Sequence, residues 1–246
     1  MSSSISDNND YPGICLWAAT TKEGFLNFKR NPTYNSILEH VTYEEGVEYI
    51  QQFTPNSNII SNIEKFKIND KLGNPIKYNF QNFGEFSPTT LRYIKILNDL
   101  SQLDLNDKHI VEIGAGYGGQ YTVLRQLYKP QKYTFIDLDS VTKLIKKYVT
   151  CLELNDIPLD FIDGTQLTEF INCDLVISNY AFSECDIKVQ DLYIEKILLN
   201  TKHCYMIHNN FNGYRHEELI KIVNRPNIRI SKEIPQTHPN NVLLTW

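Results

Sequence analysis

The chain has 246 residues, a formal net charge of −5 and an isoelectric point near 5.7, enough length for one α/β domain with an appended segment. The acidic balance supplies no bulk positive field, which argues against nucleic acid or an anionic membrane as partner. The cysteines are Cys15, Cys151, Cys173, Cys185 and Cys204, odd in number and without a C-x-x-C pair; this speaks against a disulfide framework or zinc knuckle and for reduced thiols in the cytoplasm.

Residues 1–12 are rich in Ser, Asn and Asp, with neither a basic start nor an apolar stretch. They read as a disordered tail rather than a signal peptide. No run approaches the roughly 18 apolar residues of a membrane span. Residues 13–86 read as a mainly helical segment, with short helices over 43–53 and 59–66 and a Gly-Asn-Pro turn within 67–80. It is expected to act as a lid and to help form an acceptor pocket. Ser87-Pro88 is an N-cap followed by proline at the first helical position, so an amphipathic helix over 87–103 opens the catalytic domain, 87–246.

From Lys108 onward short apolar runs alternate with amphipathic ones, the pattern of a mostly parallel sheet. Strands are predicted over 109–113, 132–137, 159–163, 174–179, 202–208, 228–233 and 242–246. Helices are predicted over 120–127, 140–154, 186–199 and 215–222, with a shorter connection around 165–170. Only 235–241 separates the last two strands, too short for a crossover helix, so they should form an antiparallel hairpin. The expected fold is a Rossmann-like, seven-stranded α/β sheet with helices on both faces.

The first of these strands runs into Gly114-Ala115-Gly116-Tyr117-Gly118-Gly119 and then a helix. Glycines there allow a sharp turn and close ligand approach, and the helix start offers N–H groups. The loop satisfies G-x-G-x-x-G, and Asp137 ends the next strand 23 positions after Gly114, where a carboxylate would meet ribose hydroxyls. Both features suit a dinucleotide as well as S-adenosylmethionine. The long segment before the loop and the terminal hairpin favour S-adenosylmethionine. Leu138 adjoins Asp137, and Asp163-Gly164-Thr165 is placed to meet the adenine, with a turn or helix cap as the other reading of Asp163. Arg92 could pair with the cofactor carboxylate or stand solvated. Tyr117 and Tyr180 could pack on cofactor or acceptor, or belong to the core. Ser178, Asn179 and Tyr180 end the fourth strand and should reach the reacting centre together with Glu184, because ligands bind at the carboxyl ends of such strands.

The segments Val-Glu-Ile-Gly-Ala-Gly-Tyr-Gly-Gly (111–119), Ile-Asp-Leu (136–138) and Asp-Leu-Val-Ile-Ser-Asn-Tyr-Ala-Phe-Ser-Glu (174–184) resemble the bacterial-type sugar O-methyltransferases. So do Phe-Ser-Pro-Thr-Thr-Leu-Arg-Tyr (86–93) and the closing Pro-x-x-x-x-x-Asn-x-x-Leu-x-Trp (235–246). The resemblance implies a class I, S-adenosylmethionine-dependent enzyme, with Glu112 near the methionine end of the cofactor. It also implies a sugar or nucleotide-sugar acceptor; a homodimer is compatible with it. A sugar hydroxyl is a weak acid, so a general base is expected. Glu184, His208 and His238 are the candidates, while His40, His109, His203 and His216 read as structural or solvated. A metal ion held by Glu184, Asp186 or Asn209 is not required by any compact spacing. Two rival readings stand beside this one. A nicotinamide-dependent sugar oxidoreductase would need Tyr-x-x-x-Lys, and Tyr193 and Lys196 are too close; a catalytically silent cofactor-binding protein is the other.

Overall fold

The computed structural model describes residues 10–55 and 57–246. Seven strands form the central sheet: β3 (His109–Ile113), β4 (Lys132–Asp137), β5 (Leu159–Asp163), β6 (Cys173–Asn179), β7 (Thr201–His208), β8 (Arg229–Lys232) and β9 (Val242–Thr245). A separate antiparallel pair, β1 (Tyr78–Phe80) and β2 (Gly84–Phe86), precedes them. The sheet order is β5-β4-β3-β6-β7-β9-β8. Neighbours from β5 to β7 are parallel, and β9 is antiparallel to both β7 and β8. The expected α/β sheet and terminal hairpin are both present.

Strand side chains alternate between two apolar layers, as the period of two requires. Ile110, Leu175, Ile177, Tyr205 and Ile207 join one core; Val111, Val176, Cys204, Met206 and Leu244 join the other. Helices α6 (Pro88–Leu100), α7 (Gly119–Leu124) and α8 (Asp139–Cys151) bury side chains in the first layer, and α10 (Ile187–Lys196) and α11 (His216–Val223) in the second. Ser87 caps α6 by accepting from Thr90 N. The connection expected near 165–170 is a single 3-10 turn, Gly164–Gln166.

The segment before Ser87 carries more structure than its sequence declares. Helices α1 (Asp10–Thr20), α2 (Lys22–Asn27), α3 (Pro32–Leu38), α4 (Tyr43–Gln51) and α5 (Asn58–Ser61) are followed by a 3-10 run, Ile63–Asp70. Residues 10–12 of the expected disordered tail therefore belong to a helix; Pro12 falls in its first turn, where a missing N–H costs no hydrogen bond. The rest of that tail lies outside the described residues.

This segment does not form a separate core. Tyr11, Phe28, Tyr34 and Phe66 share one apolar cluster with Leu91, Tyr121 and Tyr148. At its centre Lys29 is fully buried. Its ammonium donates to Asn69 O at 2.7 Å and Tyr148 Oη at 3.2 Å and lies 4.0 Å from the Tyr117 ring centroid. Asp70 accepts from Ser87 N at 2.8 Å and from Thr90 Oγ1 at 2.6 Å, which joins the 3-10 run to the start of α6. Burial lowers the Lys29 pKa and raises that of Asp70, as desolvation of each charge demands.

Candidate active site

A cavity of about 670 Å³ lies outside the carboxyl ends of β3, β4, β6 and β7. Its floor contains Glu112, Gly114, Ala115, Gly116, Asp137, Asn179 and Tyr180, and its roof comes from Tyr11, Ile37, Leu38 and Tyr49 of the first helices. One side is closed by Asn209 and the hairpin loop residues Thr237, His238, Asn240 and Asn241.

The glycine loop is shaped by packing as much as by dihedral angles. Gly114 has φ of +74°, and a Cβ there would lie 1.9 Å from Ala181 Cβ, so only glycine fits under the start of helix α9 (Ala181–Glu184). Its amides turn inward: Gly114 N donates to Ile136 O at 2.9 Å, Gly116 N to Asp137 Oδ2 at 3.0 Å and Gly118 N to Ala115 O at 2.9 Å. Asp137 Oδ1 accepts from Leu138 N at 2.8 Å. Burial nevertheless pushes Asp137 up to about 6.

Glu112 is 2% exposed and accepts from Tyr133 Oη at 2.7 Å. Burial raises its pKa to about 8 against the pull of that hydrogen bond, so it holds its proton at neutral pH until a cation approaches. Arg92, in the opposite wall, is 7% exposed. One terminal nitrogen donates to Leu38 O at 3.2 Å, its Nε has no partner, and the buried Glu39 carboxyl acts on its charge without a direct hydrogen bond to it. A buried guanidinium in this state is a receptor for an anionic group.

Tyr180 follows β6 with φ of +72°, a conformation that costs energy for a bulky residue and is maintained only by its surroundings. Tyr180 N donates to Ile207 O at 2.9 Å, and its hydroxyl donates to Glu233. Glu233, 4% exposed, also accepts from Thr237 N at 3.1 Å, Thr237 Oγ1 at 2.7 Å and Asn241 Nδ2 at 2.8 Å. One carboxylate thus fixes both the strand-end tyrosine and the hairpin loop. Glu233 was expected as the last residue of a strand; β8 ends at Lys232, and the chain turns this side chain inward.

Of the candidate bases, Glu184 lines the cavity. Asn209 Nδ2 donates to its Oε1 at 3.0 Å, and burial raises its pKa above the usual glutamate range. His238 lines the cavity from the loop and is exposed. His208 does not line it: the ring is fully buried, Nδ1 accepts from Asn210 N at 3.1 Å, and burial lowers its pKa to about 4. His40, read from sequence as structural or solvated, stands on the cavity wall, its pKa lowered by desolvation and the nearby Arg92 charge.

Of the residues expected to bind cofactor, Arg92, Glu112, Gly114, Ala115, Gly116, Asp137, Asn179 and Tyr180 line the cavity. Tyr117 does not: it is fully buried, accepts from Asn69 Nδ2 and stacks beneath Lys29, which is its core reading. Ser178 braces the floor, donating to Ile113 O and accepting from Phe182 N. Leu138 N-caps α8. Asp163 caps its own turn, taking Thr165 N, Thr165 Oγ1 and Gln166 Nε2, so neither Gly164 nor Thr165 extends the wall. Sequence reasoning missed Tyr11, Leu38, Tyr49 and Asn241. Tyr11 was assigned to the tail, Leu38 and Tyr49 carry no motif, and Asn241 stands in the closing Pro-x-x-x-x-x-Asn-x-x-Leu-x-Trp pattern but was given no role.

Neither a family model nor a curated protein matches the chain. Among solved structures it is similar to phosphoethanolamine N-methyltransferase 1 of Haemonchus contortus, crystallised with phosphoethanolamine and S-adenosylhomocysteine. That likeness has 20% identity over 45% of this chain and 24% of that one, with a TM-score of 0.37. A Thermoplasma acidophilum protein gives 12% identity over 77% of this chain and 97% of that one, TM-score 0.48. An O-methyltransferase family 2 protein from Planctomyces limnophilus, in complex with apigenin, gives 11% over 56% and 49%, TM-score 0.42. At these identities and scores the likeness decides nothing about chemistry, which rests on the cavity itself.

Proposed function

We propose that the protein is an S-adenosylmethionine-dependent O-methyltransferase acting on a hydroxyl of a sugar or sugar nucleotide. The observation that carries the choice of cofactor is the use of the loop amides. A dinucleotide pyrophosphate needs loop N–H groups pointing outward. Here Gly116 N is directed to Asp137 and Gly118 N to Ala115 O, and the nearby Asp137 carboxylate would repel a pyrophosphate. The same carboxylate keeps acceptor capacity for ribose hydroxyls, since each oxygen has a second lone pair. Arg92 suits the carboxylate of a methionine moiety, and Glu112, ready to ionise beside a cation, suits its ammonium.

When bound, the cofactor supplies an electrophilic methyl group, whose carbon–sulfur bond breaks as the carbon–oxygen bond forms, sulfur keeping the electron pair. Glu184 takes the proton from the acceptor hydroxyl, its basicity raised by burial and its position held by Asn209. The helices before Ser87 act as the lid and acceptor wall, covering the glycine loop with Tyr11 and Leu38. A nicotinamide mechanism gains no support from Tyr193 and Lys196. Tyr193 is buried under Gly164, Lys196 lies over Phe170, and neither lines the cavity.

Calorimetry of the purified protein with S-adenosylmethionine, S-adenosylhomocysteine and NAD tests the assignment. Saturable binding of the first two without NAD is the expected result; NAD binding alone would overturn it. Cofactor binding without transfer to any acceptor would leave the catalytically silent alternative.

A further inference from the structure

The acceptor end of the cavity is unevenly equipped. Asn209, Asn210, Thr237, His238, Asn240 and Asn241 line it, with the carboxyls of Glu45 and Glu184 beside them. Arg92 is the single arginine or lysine among the described lining residues, and in the proposed function it is committed to the carboxylate of the cofactor. Asn241 is 3% exposed. Its Nδ2 donates to Glu233 Oε2 at 2.8 Å and Thr237 Oγ1 at 2.9 Å, which fixes the amide orientation and leaves Oδ1 without a partner. Asn179 Oδ1, at the end of β6, is likewise buried and unpartnered.

Both orphaned atoms are hydrogen-bond acceptors, and the charged groups at this end are carboxyls. A ligand settles such a wall only by bringing O–H or N–H donors. A phosphate oxyanion offers acceptors alone: it would leave Asn241 and Asn179 unpaired and add repulsion from Glu45 and Glu184. Phe211, 59% exposed at the mouth, adds an apolar face against which a sugar ring can lie.

We infer that the acceptor site takes an uncharged polyhydroxyl unit and refuses a nucleoside diphosphate sugar. The unit is therefore methylated as a glycoside or free sugar, after any diphosphate carrier has been removed by glycosyl transfer or hydrolysis. This rests on the methyltransferase reading above and narrows its acceptor.

The test is made on full-length protein saturated with S-adenosylhomocysteine, by calorimetric titration with uridine diphosphate, with UDP-glucose and with methyl glucoside. The wild type is expected to bind neither diphosphate. Because the refusal is electrostatic, the double variant E45Q/E184Q is expected to gain at least about tenfold in affinity for uridine diphosphate, about 1.4 kcal/mol. Diphosphate binding to the wild type tighter than that of methyl glucoside would overturn the inference. So would a double variant whose diphosphate affinity matches wild type. Absence of homocysteine-product binding in the first step would sink the cofactor assignment, and the inference with it; that failure is distinguishable because it precedes any acceptor titration.

Discussion

Glu184 has one oxygen held by Asn209 and a pKa raised by burial, so its basic form is lost at a higher pH than for a free glutamate. Turnover should fall as pH drops through that raised pKa. Glu184→Gln should lower kcat by about 10²–10³-fold and remove this acid limb, while the homocysteine-product affinity stays within about twofold by calorimetry. A normal kcat in the variant would move the base role to His238. Asp137, with a pKa of about 6, predicts a different pH signature. Below about pH 6 it gains a proton and loses acceptor capacity for the ribose, so cofactor affinity should weaken there, and Asp137→Asn should flatten the dependence. Glu112 titrates near 8 when folded and near 4.3 when unfolded. Its folded pKa is the higher one, so the native state binds the extra proton. Its contribution to stability is then fully present below about pH 4.3 and is lost as pH rises through 8. Glu112→Gln should accordingly raise Tm of the cofactor-free protein at pH 9 and have no such effect at pH 4. An equal shift at both values would refute the assignment.

At the scale of elements, the parallel strands were legible because each is a short, largely apolar run followed by Gly or ended by a polar residue; the inner ones are buried and the edge strand β5 is half-buried. The terminal hairpin was legible because 235–241 is too short for a helix, but which of its strands lies beside β7 was not; β9 takes that place and β8 forms the edge. Helices over 43–53 and 59–66 were expected before Ser87, but α1 was not. Pro12 and Gly13 break the helical pattern of α1 on paper, yet Pro12 sits in the first turn, and Tyr11, Cys15 and Ala18 are buried against other elements. The glycine-loop side of the cavity was readable from loop spacing. The hairpin side was not, because Asn241 and Glu233 act through a network that joins the hairpin loop to Tyr180 at the end of β6. Asp163 caps the turn that follows it, the other reading its position allowed. Lys29 joins these elements in the core. Replacing it with alanine removes the donor to Tyr148 Oη and one of the two donors to Asn69 O, which keeps the Tyr148 hydroxyl at 2.7 Å, and leaves Asp70 without its compensating charge. Lys29→Ala should therefore cost about 3–5 kcal/mol in urea denaturation, against under about 1 kcal/mol for the solvated Lys146→Ala.

Across the whole molecule, the boundary at Ser87 is a boundary of pattern and not of packing. The apolar cluster runs from Tyr11 through Phe28 and Phe66 to Leu91, Tyr121, Tyr148 and Ile177 without a break. Buried polar ties cross the same boundary from Lys29 to Tyr148 and from Asp70 to Ser87 and Thr90. Removing residues 10–86 would uncover the aromatic face formed by Tyr117, Tyr121 and Tyr148 together with α6, so 87–246 alone should fail to fold to a soluble, cooperative state. In the full chain the two parts should melt together, with far-UV and near-UV circular dichroism giving one coincident transition. The cavity has its floor on the sheet and its roof on the first helices, so a ligand bound there stabilises both at once. S-adenosylhomocysteine at 100 times its Kd adds about 2.7 kcal/mol, which for a chain of this length raises Tm by about 5–10 °C. Both circular dichroism signals should move by that amount together. Two separate transitions, with only the sheet transition shifting, would mean that the first helices are not part of the site.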